Sequence, residues 1–402
     1  MKPDLDSFTS SILYAYLRSL RPPRDAFTPL YIPLLNVPEA DIQLRPEFIK
    51  LFHHANISAS HLITLDDLPP PSRLEDQLPP ANTQWILVDH NSLQGSLGSI
   101  YSSRVHGVID HHVEEHAVPE DTTSEPRVLE NSGSCSSLVV RTFQSTWDAV
   151  SSSSLSSGAA HAQSSDSVAD DSVVAQGWDA QVAKLALGSI LEDTSNLTSE
   201  SKTMSVDREM VRYLEAKIQA SAKDARIWNR DKFYKEITRA KKDIEELPLD
   251  GILRKDYKQW TENETKLGMS TVVKPLDFIA KKAATERPDA DKGEAFSAAI
   301  QNFVSDRDLS IYAIMSTSKT AEGQFQRQLF LQATAAAIAA ADRFTQNAGA
   351  ELGLEDLTVE GIADEKTAAQ KAGKKLYQRV WQQKAIERSR KQVAPMIREA
   401  MK

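Results

Sequence analysis

The chain has 402 residues, of which 41% are hydrophobic, and this is enough for two globular domains with cores of their own. Its net charge of -9 argues against a general nucleic-acid-binding surface, and its single cysteine, Cys135, excludes an intrachain disulfide and cysteine-based zinc sites. No apolar run is long enough to span a membrane and no signal peptide is recognisable, so we expect a cytoplasmic protein without a membrane partner.

The first predicted element is an amphipathic helix over residues 7–20, which Ser7 can cap. Two short apolar runs follow, WILV at 85–88 and GVI at 107–109, and each leads into an acidic residue and histidine. Uniformly apolar runs between helical segments are typical of strands buried on both faces of a parallel sheet, whose ligand sites lie at the carboxyl ends of the strands. We therefore predict an α/β fold with a parallel sheet for an N-terminal domain, residues 1–215.

The middle of the chain contains a Ser-rich stretch at about 150–175, which predicts a disordered insertion because so few apolar residues cannot offset the entropy of ordering. The segment WDAQVAKLALGSILED then predicts a helix whose polar end carries Glu192 and Asp193. Charged helical segments at 216–246 predict a helical linker to the second domain.

The remaining residues, 247–402, predict a smaller α+β domain. TVV at 271–273 and SIYAIMS at 310–316 have the composition of strands. From about residue 365 to 401 strong helix formers dominate, apart from one glycine and one proline, which predicts a terminal helix. We expect the active site to lie in the cleft between the two domains.

Acidic residues, several followed by histidine, occur at four places where a predicted element meets a turn. Divalent cations such as Mg²⁺ and Mn²⁺ prefer carboxylate oxygen, and imidazole shifts the preference toward Mn²⁺ or Co²⁺. Two such ions about 3.5 to 4 Å apart can activate a hydroxide and polarise a phosphoryl oxygen. The four places are Asp4 with Asp6, Asp89 with His90, Asp110 with His111 and His112, and Asp193.

Each place also has a purely structural explanation. The Asp4 and Asp6 pair is typical of a helix N-cap, a His-His pair is more often exposed than bound to metal, and Asp193 has the sequence context of a loop. We favour the metal site because all four occur in order within the first half of the chain.

The motifs PDLDSFTSS, ILVDHN, GVIDHHVEE and ILEDTSNL resemble the four motifs of the DHH phosphoesterase superfamily, in the same order. LRKDYKQW, LGMSTVV and SRKQVAP resemble its DHH-associated C-terminal domain. Together these segments cover most of the chain. The combination is similar to eukaryotic cytosolic exopolyphosphatases and prune-type proteins, and more distantly to family II inorganic pyrophosphatases.

The resemblance implies two divalent metal ions, Mn²⁺ or else Mg²⁺ or Co²⁺, and a role for each matching residue. Asp110 would orient a histidine, and His112 would face the substrate phosphate. The implied catalytic residues are therefore Asp89, His111 and His112. The implied ligands are Asp4 for one metal, Asp6 and His111 for the second, Asp89 as the bridge, and Asp193 to complete the site.

The same resemblance implies that Arg390 and Lys391 bind the substrate, because the family's SRK segment binds phosphate. Arg254 can add a further phosphate contact, whereas a solvated helix face is the better explanation for Lys255 and Lys258. The implied reaction is release of the terminal phosphate from inorganic polyphosphate. Pyrophosphate and linear or cyclic nucleotides stay open as substrates, and a catalytically impaired interaction protein stays open as a different class of function. The oligomeric state is left undetermined.

One departure from the family pattern lies at the N-terminus. The family begins with a buried strand and places His or Asn four residues before the first motif aspartate, a position that would precede Met1 here. Two explanations stay open. A start site assigned too far downstream is favoured by the incomplete sheet edge and ligand set, and the other is a shortened paralogue with an impaired first-metal site.

Overall fold

The structure, a computed structural model, describes residues 4–160, 167–320, 322–363 and 376–402. It divides into two compact units, unit 1 (Met1–Asp243) and unit 2 (Ile244–Lys402). Among the described residues, no helix has the length and apolar character needed to cross a membrane.

Unit 1 combines ten helices and five short strands in its described part. Its helices are α1 (Leu5–Leu20), α2 (Glu39–Ile42), α3 (Pro46–His54), α4 (Leu74–Gln77), α5 (Gly95–Tyr101), α6 (Cys135–Ala160), α7 (Ser167–Asp193), α8 (Ser205–Ala220), α9 (Ala222–Ala225) and α10 (Arg230–Lys242). Its strands are β1 (Leu34–Leu35), β2 (Ile63–Thr64), β3 (Trp85–Val88), β4 (Val105–Asp110) and β5 (Arg127–Leu129).

The strands of unit 1 form two parallel sheets, β1-β2 and β3-β4-β5. Val88 pairs with Ile109, so the chain leaves β3 and β4 at the same edge of the sheet, and both strands lead there into acidic residues. Helices α1, α6, α7 and α8 pack together over a core that includes Leu13, Leu138 and Leu214. The predicted α/β fold with a parallel N-terminal sheet is therefore confirmed.

A cavity of about 460 Å³ is lined by side chains of both sheets of unit 1. Leu34 and Ile63 contribute from β1 and β2, Trp85 and Leu87 from β3, and Tyr14 from α1. In the described part of the chain, β3 pairs only with β4 and β1 only with β2. The cavity is thus bordered by strand edges, and the strand expected before the first motif stays a prediction.

The Ser-rich stretch at 150–175 differs from the predicted disordered insertion. Backbone helix continues in α6 to Ala160 and resumes at Ser167 in α7, while residues 161–166 lie outside the described residues. Both helices are anchored by apolar residues nearer the core, such as Leu138 in α6. Extending a helix costs far less than nucleating one, so a weakly apolar Ser and Ala sequence can follow as helix.

The predicted linker at 216–246 belongs mostly to unit 1, whose boundary lies after Asp243. Phe233 and Ile237 of α10 are buried in the core of unit 1, and α10 packs on α3 and α7. These apolar residues recur four positions apart among many charges, and burying them fixes the segment to the first unit.

Unit 2 is built on a six-stranded sheet in the order β10-β11-β9-β8-β7-β6, antiparallel except for the parallel pair β7 and β8. Helices pack on both faces, and the architecture confirms the smaller α+β domain. The elements are α11 (Leu249–Lys255), β6 (Tyr257–Glu262), β7 (Thr265–Val272), α12 (Leu276–Glu286), α13 (Lys292–Asp306), β8 (Ile311–Lys319), β9 (Phe325–Thr334), α14 (Ile338–Leu352), β10 (Leu354–Asp356), β11 (Leu376–Gln383) and α15 (Arg390–Met401).

The terminal helix is shorter than predicted, because Leu376–Gln383 is a strand paired with β9. Val380 of this strand is buried in one core of unit 2, and Tyr377 and Trp381 in the core on the other face. Burial of these three β-favouring residues between two helical layers outweighs the helix propensity of the glutamines around them.

Candidate metal centre

Asp89 stands directly after strand β3 and is almost fully buried, with 4% of its surface exposed. Its backbone has a φ of 60°, which a non-glycine residue rarely adopts, and its N–H donates to the carbonyl of Ile109 at 3.0 Å. The Ser7 hydroxyl of α1 donates to its carboxylate. Such a locally unfavourable conformation, held by the neighbouring strand, is typical of functional sites.

Asp110 ends strand β4, is fully buried and fixes the backbone that follows it. One carboxylate oxygen accepts from the backbone N–H of His111 at 2.8 Å and lies 2.8 Å from Nδ1 of His112. The other accepts from Nδ2 of Asn91 at 2.6 Å. Burial acts to raise the pKa of Asp110, but the hydrogen bonds from His112 and Asn91 outweigh it and hold the pKa below its ordinary value.

His111 is oriented by a hydrogen bond from Nδ1 to the carbonyl of Ser132 at 2.9 Å. Because a carbonyl only accepts, the proton lies on Nδ1 and Nε2 is the nitrogen directed at acids: it is 3.2 Å from Asp89 Oδ1 and 4.0 Å from Asp6 Oδ2. Burial opposes the charged imidazolium, but the hydrogen bond with Asp89 and the charge of Asp6 raise the pKa of His111 to about 9.

Asp6, in the first turn of α1, is 2% exposed, and its carboxylate contacts the N-terminus of helix α6. Its Oδ1 accepts from the Ser134 hydroxyl at 2.6 Å, and from the backbone N–H and hydroxyl of Ser136 at 3.0 and 2.8 Å, while Oδ2 accepts from the N–H of Cys135. Burial and the charge of Asp89 nevertheless raise its pKa to about 7. The donors hold the carboxylate in one orientation, with Oδ2 toward His111.

Asp193, the last residue of α7, has one carboxylate oxygen, Oδ2, that is enclosed yet has no hydrogen-bond partner among the described residues. Burial raises its pKa well above the ordinary value, and the charges of Asp6 and Asp4 add to this effect. A buried acceptor without a donor is costly, so this atom marks a place where a cation would be stabilising.

Asp4 serves as the N-cap of α1, which is the structural explanation that the sequence also allowed for it. Its Oδ1 accepts from the backbone N–H groups of Asp6 at 3.1 Å and Ser7 at 3.3 Å. Burial and the charge of Asp89 raise its pKa, so it also lies within the field of the acidic cluster. Capping occupies Oδ1, and it is compatible with a metal contact through Oδ2.

The residue types and spacings of this cluster fit a divalent cation bound by oxygen and imidazole. Asp89, Asp110, His111 and His112 each offer a ligand atom within 4.8 Å of the others. The pKa values of Asp6 and Asp193 are raised first by burial and then by neighbouring negative charge, and a bound cation would offset both effects. Since Asp110 already accepts from several donors, it suits orienting His112 better than binding the ion.

Three of the predicted substrate-binding residues, Arg254, Arg390 and Lys391, lie in unit 2, whereas His112 lies in unit 1 beside Asp110. Arg390, at the start of α15, bonds through both terminal nitrogens to Asp256, one to its carboxylate and one to its carbonyl, each at 2.8 Å. Arg254 pairs with Asp250 at 3.0 Å, and Lys391 is exposed. The SRKQVAP and LRKDYKQW segments thus meet through Arg390 and Asp256.

Several residues that shape the cluster were not predicted from the sequence. Asn91 donates to Asp110 and accepts from the backbone N–H of Glu115 at 2.7 Å, so it ties the end of β3 to the loop after β4. The hydroxyl groups of Ser134 and Ser136 donate to Asp6. Asn91 lies two residues after Asp89 in the ILVDHN motif, and this position in the motif could have indicated its role at the site.

Comparison with known proteins identifies the family of this chain. The model of the N-terminal domain of the DHH family matches residues 1–165, and that of the DHHA2 domain matches residues 235–400. A candidate exopolyphosphatase of Schizosaccharomyces pombe is 31% identical over 401 residues, 99% of this chain and 88% of the relative. The chain belongs to the DHH family. As a DHH protein with a DHHA2 domain, it is exopolyphosphatase-like in sequence.

Two other proteins resemble this DHH chain less closely. The rat exopolyphosphatase PRUNE1 is 26% identical over 284 residues, which cover 70% of this chain and 52% of the relative. The crystal structure of a candidate family II inorganic pyrophosphatase from Methanococcus jannaschii covers 99% of this chain and 96% of its own, with 18% identity and a TM-score of 0.45.

Proposed function

We propose that this DHH protein is a metal-dependent phosphoanhydride hydrolase that releases the terminal phosphate from inorganic polyphosphate. The observation that carries the proposal is the approach of His111 Nε2 to Asp89 and Asp6, together with an Asp193 oxygen that has no hydrogen-bond partner in the described part of the chain. The Schizosaccharomyces pombe and rat relatives both carry the name exopolyphosphatase, which supports polyphosphate as the first substrate to test. We infer that the enzyme acts in the cytoplasm.

In this proposal Asp4, Asp6, Asp89, His111 and Asp193 would together hold two divalent cations. When bound, the cations supply Lewis acidity toward phosphoryl oxygens and a hydroxide nucleophile at neutral pH. Mn²⁺ is the first choice, with Mg²⁺ or Co²⁺ as alternatives, because the ligand set combines carboxylates with imidazole.

The protein's own side chains orient the ligands and bind the substrate. Ser132 keeps the proton of His111 on Nδ1, so that Nε2 is available as a ligand. Asp110 in the same way directs Nε2 of His112 to a substrate phosphate. Phosphate groups of the polyphosphate substrate are bound by Arg390, Lys391 and Arg254. Arg390 binds through the planar fork of its guanidinium.

Phosphate release from polyphosphate of defined length, with Mn²⁺ or Mg²⁺ and with or without chelator, tests this function. We expect metal-dependent release by the wild-type chain, and a loss of at least about 100-fold in Asp89→Asn and His111→Ala, because each removes a ligand of the reacting centre. Asp121→Asn, in an exposed loop, is the matched control and should retain activity.

Parallel reactions with pyrophosphate and with cyclic AMP separate the alternative substrates. Preferential turnover of either would replace polyphosphate within the same mechanism. Chelator-insensitive release, or full activity in Asp89→Asn, would refute the metal-dependent hydrolase, and no turnover of any of the three would favour the interaction protein.

A further inference from the structure

One short segment, residues 132–136, contacts two of the proposed metal ligands at once. It comprises the turn before α6 and the first two residues of that helix, and is called the 132–136 turn below. The Ser132 carbonyl accepts from His111 Nδ1, and the donors of Ser134 and Ser136 bind Asp6 Oδ1. A shift of this turn would therefore rotate His111 and release Asp6 together. The position of the turn is a determinant of the ligand set.

Asp207, in the first turn of α8, holds this turn from the other side and is fully buried. Its Oδ2 accepts from the backbone N–H of Gly133 at 2.8 Å, and its Oδ1 accepts from the Ser137 hydroxyl at 2.6 Å. Oδ2 also accepts from the N–H of Met204, an ordinary capping contact of α8. The capping role accounts for the Met204 bond alone, and the bonds to Gly133 and Ser137 reach 70 or more residues along the chain.

Gly133 shows how closely this carboxylate approaches the turn. A Cβ at this position would lie 2.4 Å from the carbonyl of Lys202 and 2.7 Å from both Asp207 Oδ2 and Thr194 Cγ2. Two of these atoms belong to the loop between α7 and α8, so the turn is pressed between that loop and Asp207. The absence of a side chain at residue 133 permits the hydrogen bond.

We propose that Asp207 is a positioning residue of the metal centre. It fixes the position of the 132–136 turn. The turn then fixes Asp6, and it fixes the tautomer and the orientation of His111. This inference rests on the proposed function, because it assumes that Asp6 and His111 bind metal. Asp207 itself bonds to backbone and hydroxyl groups and lies outside the four motifs that predicted the ligands.

The variant Asp207→Asn in the full chain tests the proposal. Asparagine keeps the shape but removes the charge and replaces one acceptor oxygen by an NH₂ group. That group either faces the Gly133 and Met204 N–H donors, which cannot accept from it, or takes the place of the oxygen that accepts the Ser137 hydroxyl, so the charged acceptor is lost in both orientations. We expect the dissociation constant for Mn²⁺, measured by titration without substrate, to rise about 10- to 100-fold, as is usual when a partner of a metal ligand is lost. At saturating Mn²⁺, the kcat of this variant should lie closer to the wild-type value than its dissociation constant for Mn²⁺ does.

Asp179→Asn is the matched control. Asp179 also accepts from two side chains, Trp147 Nε1 at 2.7 Å and the Ser151 hydroxyl at 2.6 Å, and it joins α6 to α7 without contact to the turn. Mn²⁺ affinity should be unchanged in this variant even if its melting temperature falls. An equal loss of affinity in both variants would assign the effect to general destabilisation and overturn the proposal.

Ser137→Ala keeps the test decisive if Asp207→Asn does not fold, because it deletes one hydrogen bond of Asp207 and leaves the carboxylate paired with Gly133. We expect Mn²⁺ binding several-fold weaker than in the wild type. Wild-type affinity in Ser137→Ala or in a folded Asp207→Asn, with Asp89→Asn impaired, refutes only the positioning role. If the wild-type chain binds no Mn²⁺, the proposed function fails as well.

Discussion

At the scale of single residues, the candidate centre contains side chains that hydrogen bonds hold in one orientation. His111 and His112 each have Nδ1 next to an acceptor, Ser132 or Asp110, and Asp6 receives several donors. Orientation by such partners lowers the entropy lost on metal binding. The sequence suggested the proposed ligands because acids follow apolar strands, whereas the serines that orient them, Ser132, Ser134 and Ser136, lie outside the four motifs.

Asn91 is the residue with the clearest expected effect on stability. It is 2% exposed, and Nδ2 donates to the buried carboxylate of Asp110 at 2.6 Å and to the Val113 carbonyl at 3.2 Å. Asn91→Ala should lower the free energy of unfolding of unit 1 by about 2 to 3 kcal/mol, because a buried charged acceptor loses its donor. Urea denaturation measures this change. The exposed Asn82→Ala should stay within about 0.5 kcal/mol of the wild type, and an equally small effect of Asn91→Ala would contradict the argument.

At the scale of elements, the sequence predicted strands best where an apolar run has a clear end. The WILV and GVI runs became β3 and β4, and their parallel pairing placed Asp89 and Asp110 at one edge, as the strand-end argument required. Strand β11 was not predicted because tertiary packing determines it: Tyr377 and Trp381 are buried in a core that they share with residues of α14 and α15. The helices around the Ser-rich stretch escaped for a related reason, since they extend from anchored cores.

The buried indole of Trp381 permits a test of the assignment of β11. It is 1% exposed and belongs to the core on one face of the unit 2 sheet. Trp381→Ala should destabilise unit 2 by about 3 to 5 kcal/mol, the usual cost of deleting a large buried aromatic side chain. Chemical denaturation followed by circular dichroism measures the loss. Gln382→Ala, on the same strand, removes one side-chain bond to the Arg327 carbonyl and should cost about 1 kcal/mol. Equal losses in the two variants would argue against the buried position.

At the scale of the whole molecule, the two units have separate cores and separate parts of the proposed chemistry. Every proposed metal ligand lies in unit 1, whereas the three proposed phosphate-binding cations, Arg254, Arg390 and Lys391, lie in unit 2. The sequence predicted this division of roles through the two sets of motifs. It could not place the boundary, because the charged helices before Asp243 hide the few apolar residues that attach them to unit 1.

This division predicts where ligands alter hydrogen exchange. A ligand that binds only the folded state stabilises it by RT ln(1 + [L]/Kd), about 2.7 kcal/mol at 100 times Kd. Mn²⁺ alone should therefore slow exchange in peptides that contain Asp6, Asp89, His111 or the 132–136 turn, and leave the sheet of unit 2 unchanged. Addition of phosphate should then protect the peptides around 254–258 and the start of α15. Protection by Mn²⁺ that persists in Asp89→Asn would contradict the assignment of the metal to unit 1. Protection by phosphate that does not include those unit 2 peptides would contradict the assignment of phosphate to Arg390, Lys391 and Arg254.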